Sequence, residues 1–148
     1  SGIVARLSEH PNIVGIKDSS GNVIQLGELL NAVAKDFNVM VGTAGVLFGG
    51  LTLGCAGGVL ALSNVAPEQC VKIYNLVKKG DFEAARELQL KMLPVNQAVT
   101  AVYGVPGLKA AMDMIGMRGG EARAPLLPLN RAARDEVRSL LRQCGLLP

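Results

Sequence analysis

The chain has 148 residues, 49% of them hydrophobic and 18% charged, with a formal net charge of +3. That is enough for one domain with a real core, and far too apolar for a disordered chain. The basic residues are scattered, there is no Trp, and there are only two Tyr and three Phe, so the basic, aromatic-lined surface of a nucleic-acid binder is missing.

In chain order, "NIVGIKD" predicts a strand over residues 12–17, and "SSGN" a turn with helix-capping residues. Val23, Leu26, Leu30 and Val33 recur at helical spacing and lead to Lys35 and Asp36. "NVMVG" predicts a second strand, residues 44–53 a short helix, and "GGVLALS" a third strand. Strands alternating with helices through short links call for a parallel sheet. After Asn64 the strand signals stop. Pro67 opens a helix to about Lys78, and Gly80 ends it. Asp81 caps the next helix, which continues toward Val102 and bends at Pro94. Pro106 opens another, closed by Gly116; "GMRGGEARAPLLPL" is a loop. Asn130 caps a last helix whose Ala133, Val137, Leu140, Leu141 and Cys144 share one face, and Gly145 stops it. The expected division is residues 1–65 as β/α units and 66–148 as a helical extension.

From Phe37 to Pro67 there is no charged residue, and Gly45/Gly49 and Gly50/Gly54 have the G-x-x-x-G spacing of membrane helix pairs. The run is broken by further glycines and by Asn38, Thr43, Thr52, Ser63 and Asn64, and its texture changes from strand to helix to strand. A buried strand–helix–strand unit of a parallel fold accounts for it better than a membrane span. Cys55, Cys70 and Cys144 form no C-x-x-C, which fits reduced, partly buried thiols. His10 is the only histidine, so neither a His-rich metal site nor a Ser-His-Asp triad is expected. The start of the chain lacks the basic and apolar regions of a signal peptide. The expected setting is cytoplasmic, with the mitochondrial matrix as the alternative.

One residue stands out. Alternation sends Gly15 and Lys17 to one side of the first strand and Val14 and Ile16 to the other. If Val14 and Ile16 pack on helices, Lys17 points to the inner face of the sheet, with room left by Gly15. It is then either a strand-end lysine that snorkels to water or a Schiff-base nucleophile at the end of a parallel strand, where α/β folds place their chemistry.

"NIVGIKDSSGN" resembles the Schiff-base lysine segment of the dihydrodipicolinate synthase / N-acetylneuraminate lyase family of pyruvate-dependent class I aldolases. "VMVGTAG" resembles that family's seventh barrel strand, "GCAGGVLALSNVAPE" its eighth, and "VPGLKAAMDMIG" and "RAPLLPL" its C-terminal helices and their connecting loop. The resemblance implies an α/β fold made of the last three units, strands 6–8, of a (β/α)8 TIM barrel, followed by a C-terminal helical region. It implies that Lys17 condenses with the keto group of a small 2-oxo acid without any cofactor, and that Gly42 and Val59 line the pyruvate pocket. Gly42 either does this or only permits a tight turn; Val59 either does this or only fills the barrel. Ser19 either faces the substrate or caps a helix, and Asp18 reads as a turn residue rather than an acid or base.

The family's carboxylate-binding loop and proton-relaying tyrosine belong to its first five strands, and neither motif occurs here. The chain therefore resembles the C-terminal half of such an aldolase, is expected to be a piece of a longer enzyme, and is expected to have little activity alone. Thr43, Ala44 and Gly45 follow Gly42 where sialic-acid lyases and typical dihydrodipicolinate synthases carry acidic residues. "KDSSG" and "GTAG" look more like the 4-hydroxy-2-oxoglutarate aldolase branch; 4-hydroxy-tetrahydrodipicolinate synthase, which joins pyruvate to aspartate semialdehyde, is the alternative. A reading of another class is a non-catalytic half-barrel module that pairs through its sheet edges, as a homo-oligomer or with a separate N-terminal half.

Overall fold

The computed structural model describes residues 1–148. Three short strands, β1 (Gly15–Asp18), β2 (Asn38–Val41) and β3 (Gly57–Gly58), form a parallel sheet in the order β1-β2-β3. Two crossovers connect them: α2 (Val23–Ala32), and then a 3₁₀ turn at Ala44–Val46 running into α3 (Leu47–Leu53). The strand–helix alternation expected from the sequence is thus present.

One face of the sheet makes the core. Val39 and Val41 of β2 are 1% and 0% exposed and pack with Leu26 and Leu29 of α2 and Leu47 and Leu51 of α3. Burying each such side chain stabilises the fold by roughly 1.5–3 kcal/mol. The charge-free run from Phe37 to Pro67 is this unit. Gly50 shows why it carries so many glycines: a Cβ there would lie 2.3 Å from Cγ1 of Val41, so its absence lets α3 settle on β2. No helix of the chain is long and apolar enough to cross a membrane.

Several boundaries differ from those expected. β1 begins at Gly15 rather than residue 12, and Val14, expected to pack on a helix, is 70% exposed. Only Ile16 of that pair reaches the core. β3 pairs at Gly57 and Gly58 alone, because the chain after Val59 turns into a 3₁₀ helix at Leu62–Asn64 instead of continuing as strand. A helix over Gly2–Ser8, here α1, was not expected. It is pinned by Ser8, whose hydroxyl donates to the Ala5 carbonyl and accepts the Ala34 N–H at the end of α2.

The remaining helices pack on α3, on the 3₁₀ turns that follow the strands, and on one another. Pro67 stands at the start of α4 (Pro67–Lys79), and Gly80, at φ +81°, ends it. Asp81 caps α5 (Phe82–Gln97) by accepting the Ala84 N–H. Pro94 lies inside α5, and the helix changes at Ala98–Val102 to wider, π-type turns before α6 (Gly104–Met114). α6 starts two residues before Pro106, which therefore sits in its first turn. Asn130 caps α7 (Arg131–Gln143), whose Val137 and Leu141 are buried, and Gly145 follows at φ +74°. A single hydrophobic cluster runs from Leu26 in α2 to Cys144 beyond α7, so the later helices share the core of the sheet.

Candidate active site

The strand register fixes which side chains share a face. Ile16 pairs with Val39, and Asp18 with Val41 and, one strand on, Gly58; these lie toward the helices. Lys17 pairs with Met40, and Met40 with Gly57, on the opposite face. Val59, two residues beyond Gly57, returns to that face, and its N–H extends the ladder to the Val41 carbonyl at 2.9 Å. Lys17 and Val59 are both exposed, at the two flanks of the sheet, with Met40 between them. The span from Lys17 to Gly57 is two strand spacings, roughly 10 Å. None of the chain's three ion pairs involves Lys17.

Gly15 does not act as the space beneath the lysine. A Cβ there would lie 2.6 Å from the Asn38 carbonyl oxygen, so this glycine serves the close approach of β1 and β2. Gly42 likewise is not a turn glycine: its φ is not positive. Its missing side chain makes room for Ser19, whose Oγ would stand 2.0 Å from a Cβ. Ser19 and Gly42 are therefore in contact at the rim where β1 and β2 end. Ser19 does not cap α2. Asn22 does, accepting the N–H groups of Ile24 and Gln25 at 3.0 and 3.2 Å.

Asp18 does more than occupy a turn. Only 9% exposed, its carboxylate accepts the Ser20 N–H at 3.0 Å, the Ser20 hydroxyl at 2.5 Å and the side-chain amide of Gln25. Burial by itself raises this carboxyl's pKa; the hydrogen bonds from the Ser20 hydroxyl, Gln25 and the Ser20 N–H outweigh it and hold the group below the usual carboxylate range. Its backbone carbonyl accepts the Gly42 N–H at 2.6 Å. Asp and Ser two residues apart at a strand end signal a side-chain-closed turn, so part of this network was readable from "KDSS". Gln25 gave no such signal.

The later helices hold the rim from behind. Gln89 of α5, buried, donates to the Ala44 carbonyl at 2.8 Å and accepts the Phe48 N–H at 3.0 Å. Asn96 donates to Thr43 Oγ1 at 3.5 Å. Neither was singled out by the sequence, because a polar residue in an amphipathic helix looks the same whether it faces water or a loop.

Lys17 and Val59 thus lie on one face of a parallel sheet, with the Ser19–Gly42 contact at its C-terminal rim. The model of the dihydrodipicolinate synthetase family matches residues 2–144. The chain belongs to this family. It is 33% identical over 144 residues to 4-hydroxy-tetrahydrodipicolinate synthase of Thermodesulfovibrio yellowstonii, covering 97% of this chain and 50% of that protein. It is 35% identical over 147 residues to the enzyme of the same name from Kosmotoga olearia, again 97% and 50%. The dihydrodipicolinate synthase DapA-2 of Bacillus anthracis superposes with a TM-score of 0.88 at 32% identity, over 95% of this chain and 48% of that one. The chloride-inhibited synthase of Acinetobacter baumannii complexed with pyruvate superposes at 0.91, with 27% identity, over 99% and 50%. The chain spans about half the length of the relatives it matches. Its mixed α/β fold, with a three-stranded parallel sheet, is consistent with part of the barrel of those structures.

Proposed function

We propose that this chain carries the nucleophile of a class I, pyruvate-dependent aldol reaction, and that Lys17 is that nucleophile. The observation that carries the reading is the exposed placement of Lys17 at the C-terminal end of β1, on the face opposite Ile16 and Asp18, in a chain that matches the family and superposes on a pyruvate-bound synthase. The neutral amine adds to the keto carbon of pyruvate, the carbinolamine loses water, and the resulting iminium draws electrons from C3. Loss of a C3 proton gives an enamine that forms a bond to an aldehyde carbon; hydrolysis of the product iminium returns the amine. Gly42 and Val59 bound the pyruvate, and Ser19 faces the second substrate. No cofactor enters the scheme.

The names of the relatives favour aspartate semialdehyde as the aldehyde, the reaction of 4-hydroxy-tetrahydrodipicolinate synthase. The uncharged Thr43-Ala44-Gly45 after Gly42 is what supports the other reading, cleavage of 4-hydroxy-2-oxoglutarate. Turnover measured with each substrate pair decides: condensation faster than cleavage is the expected result, and the reverse assigns the chain to the aldolase branch.

A non-catalytic pairing module has one observation in its favour. Neither β1 nor β3 has a second strand partner, and Val14, just before β1, and Val59, just after β3, are exposed. Pairing there, with a second copy or with the remaining barrel strands, is the expected outcome. Sedimentation of the purified chain as a monomer that binds no hydrophobic dye counts against such pairing.

A further inference from the structure

We propose that Asp18 is the positioning residue of the lysine: its buried carboxylate fixes the turn that sets where Lys17 and Ser19 stand. The proposal rests on the reading of Lys17 as the Schiff-base nucleophile.

Asp18 ends β1 on the core face, back to back with Lys17. Its register neighbour there, Val41, is aliphatic and fully buried, so an aliphatic side chain is accommodated in this layer. A carboxylate in that position loses its hydration and has no ion-pair partner. It is held instead by three hydrogen bonds, all from residues within seven positions downstream: the N–H and hydroxyl of Ser20, and the amide of Gln25 in α2. The Ser20 hydroxyl passes the tie onward by accepting the Asn22 N–H at 3.0 Å, and Asn22 is the cap of α2. On the main-chain side, the Asp18 carbonyl takes the Gly42 N–H. One residue therefore joins the end of β1, the start of α2 and the glycine against which Ser19 packs.

The two residues flanking this anchor are bound to its geometry. Lys17 precedes it and Ser19 follows it, and the path from 17 to 19 has no other side-chain tie. Removing the carboxylate frees Ser20 and Gln25 and lets the turn open. Lys17 keeps its identity and its strand partner but loses its fixed approach to the keto carbon. A misplacement on the order of 1 Å costs up to about a hundredfold in rate.

The test is the rate of borohydride-trapped pyruvate adduct on Lys17, read by peptide mass spectrometry in the native, full-length protein. Asp18→Ala is expected to lower the maximal trapping rate by about tenfold or more while half-saturating pyruvate changes little, because the keto acid still binds and only the attack is misaligned. Asp18→Asn, whose amide oxygen still accepts from Ser20, is expected to recover most of that rate. Both are compared at a temperature where circular dichroism shows them folded. Should Asp18→Ala not fold, Ser20→Ala decides: it removes one hydrogen bond and is expected to slow trapping severalfold. A folded Asp18→Ala, or in its place Ser20→Ala, that traps at the unaltered rate overturns the proposal. So does an Asp18→Asn as slow as Asp18→Ala, or a loss seen only in half-saturating pyruvate. If the unaltered protein forms no adduct on Lys17, the reading of the lysine itself fails, and the role of Asp18 fails with it.

Discussion

Ser19 lies against the bare Cα of Gly42: a Cβ on Gly42 would fall 2.0 Å from the Ser19 Oγ and 2.7 Å from its Cα. The nearer atom belongs to a side chain that can rotate away, but the Cα cannot move without shifting the turn after β1. Gly42→Ala is therefore expected to destabilise the protein by about 1–3 kcal/mol, the usual range for overpacking, and to slow adduct formation on Lys17. Urea titration checks the first effect. An alanine variant as stable as the parent shows that the rim is not tightly built.

A second glycine is structural in another place. Gly50→Ala puts a methyl 2.3 Å from Cγ1 of the fully buried Val41. The expected cost is again about 1–3 kcal/mol. It should leave adduct formation on Lys17 intact in the folded fraction, since the clash lies on the core side of the sheet. A loss of trapping without a loss of stability contradicts that division of the two faces.

The acid limb of stability should report Asp18. Its carboxyl is held below the usual range in the folded state, so it contributes stability that is fully present above the unfolded value, about 3.9, and is lost as the pH falls through the folded value. Asp18→Asn removes this contribution. Its thermal midpoint is expected to fall less steeply on acidification than that of the unaltered protein. Parallel curves show that the hydrogen bonds of Asp18 do not favour its charged form.

The cysteines give a probe of folding. Burial pushes the Cys70 thiol up to about 11, and raises those of Cys55 and Cys144 as well, the charge of Asp18 adding to the effect at Cys55. At pH 8 a thiol of pKa about 11 is on the order of 0.1% thiolate. Iodoacetamide is expected to label none of the three in the folded protein within the time that labels all three in urea. Rapid labelling of Cys70 under native conditions contradicts its buried placement.

How much of this was legible in the sequence depends on the element. The parallel strand–helix alternation was, since a charge-free stretch whose texture changes from β-rich to helical and back suits a strand–helix–strand unit within a parallel fold. So was the side of the sheet that Lys17 occupies, which follows from a period of two once Ile16 is given to the core. Strand ends were not. "VLALS" has strand composition, yet only Gly57 and Gly58 pair, because the chain turns away before any further partner is offered. The helix Gly2–Ser8 was missed although Ile3 and Leu7 stand four residues apart; it is short, and its one buried residue, Ser8, is polar. The contact between Gly42 and Ser19 was not legible for a related reason. A glycine required by another residue's side chain looks in sequence like a glycine required by a turn.

The location of the pyruvate adduct tests the central claim most directly. The native, full-length protein is incubated with pyruvate and borohydride, digested, and its lysines are surveyed by mass spectrometry. The expected result is one dominant adduct, on the peptide containing Lys17, that disappears in Lys17→Arg without loss of the folded state. Modification spread evenly over the lysines, or a Lys17→Arg protein that keeps full turnover, contradicts the assignment of Lys17 as the nucleophile.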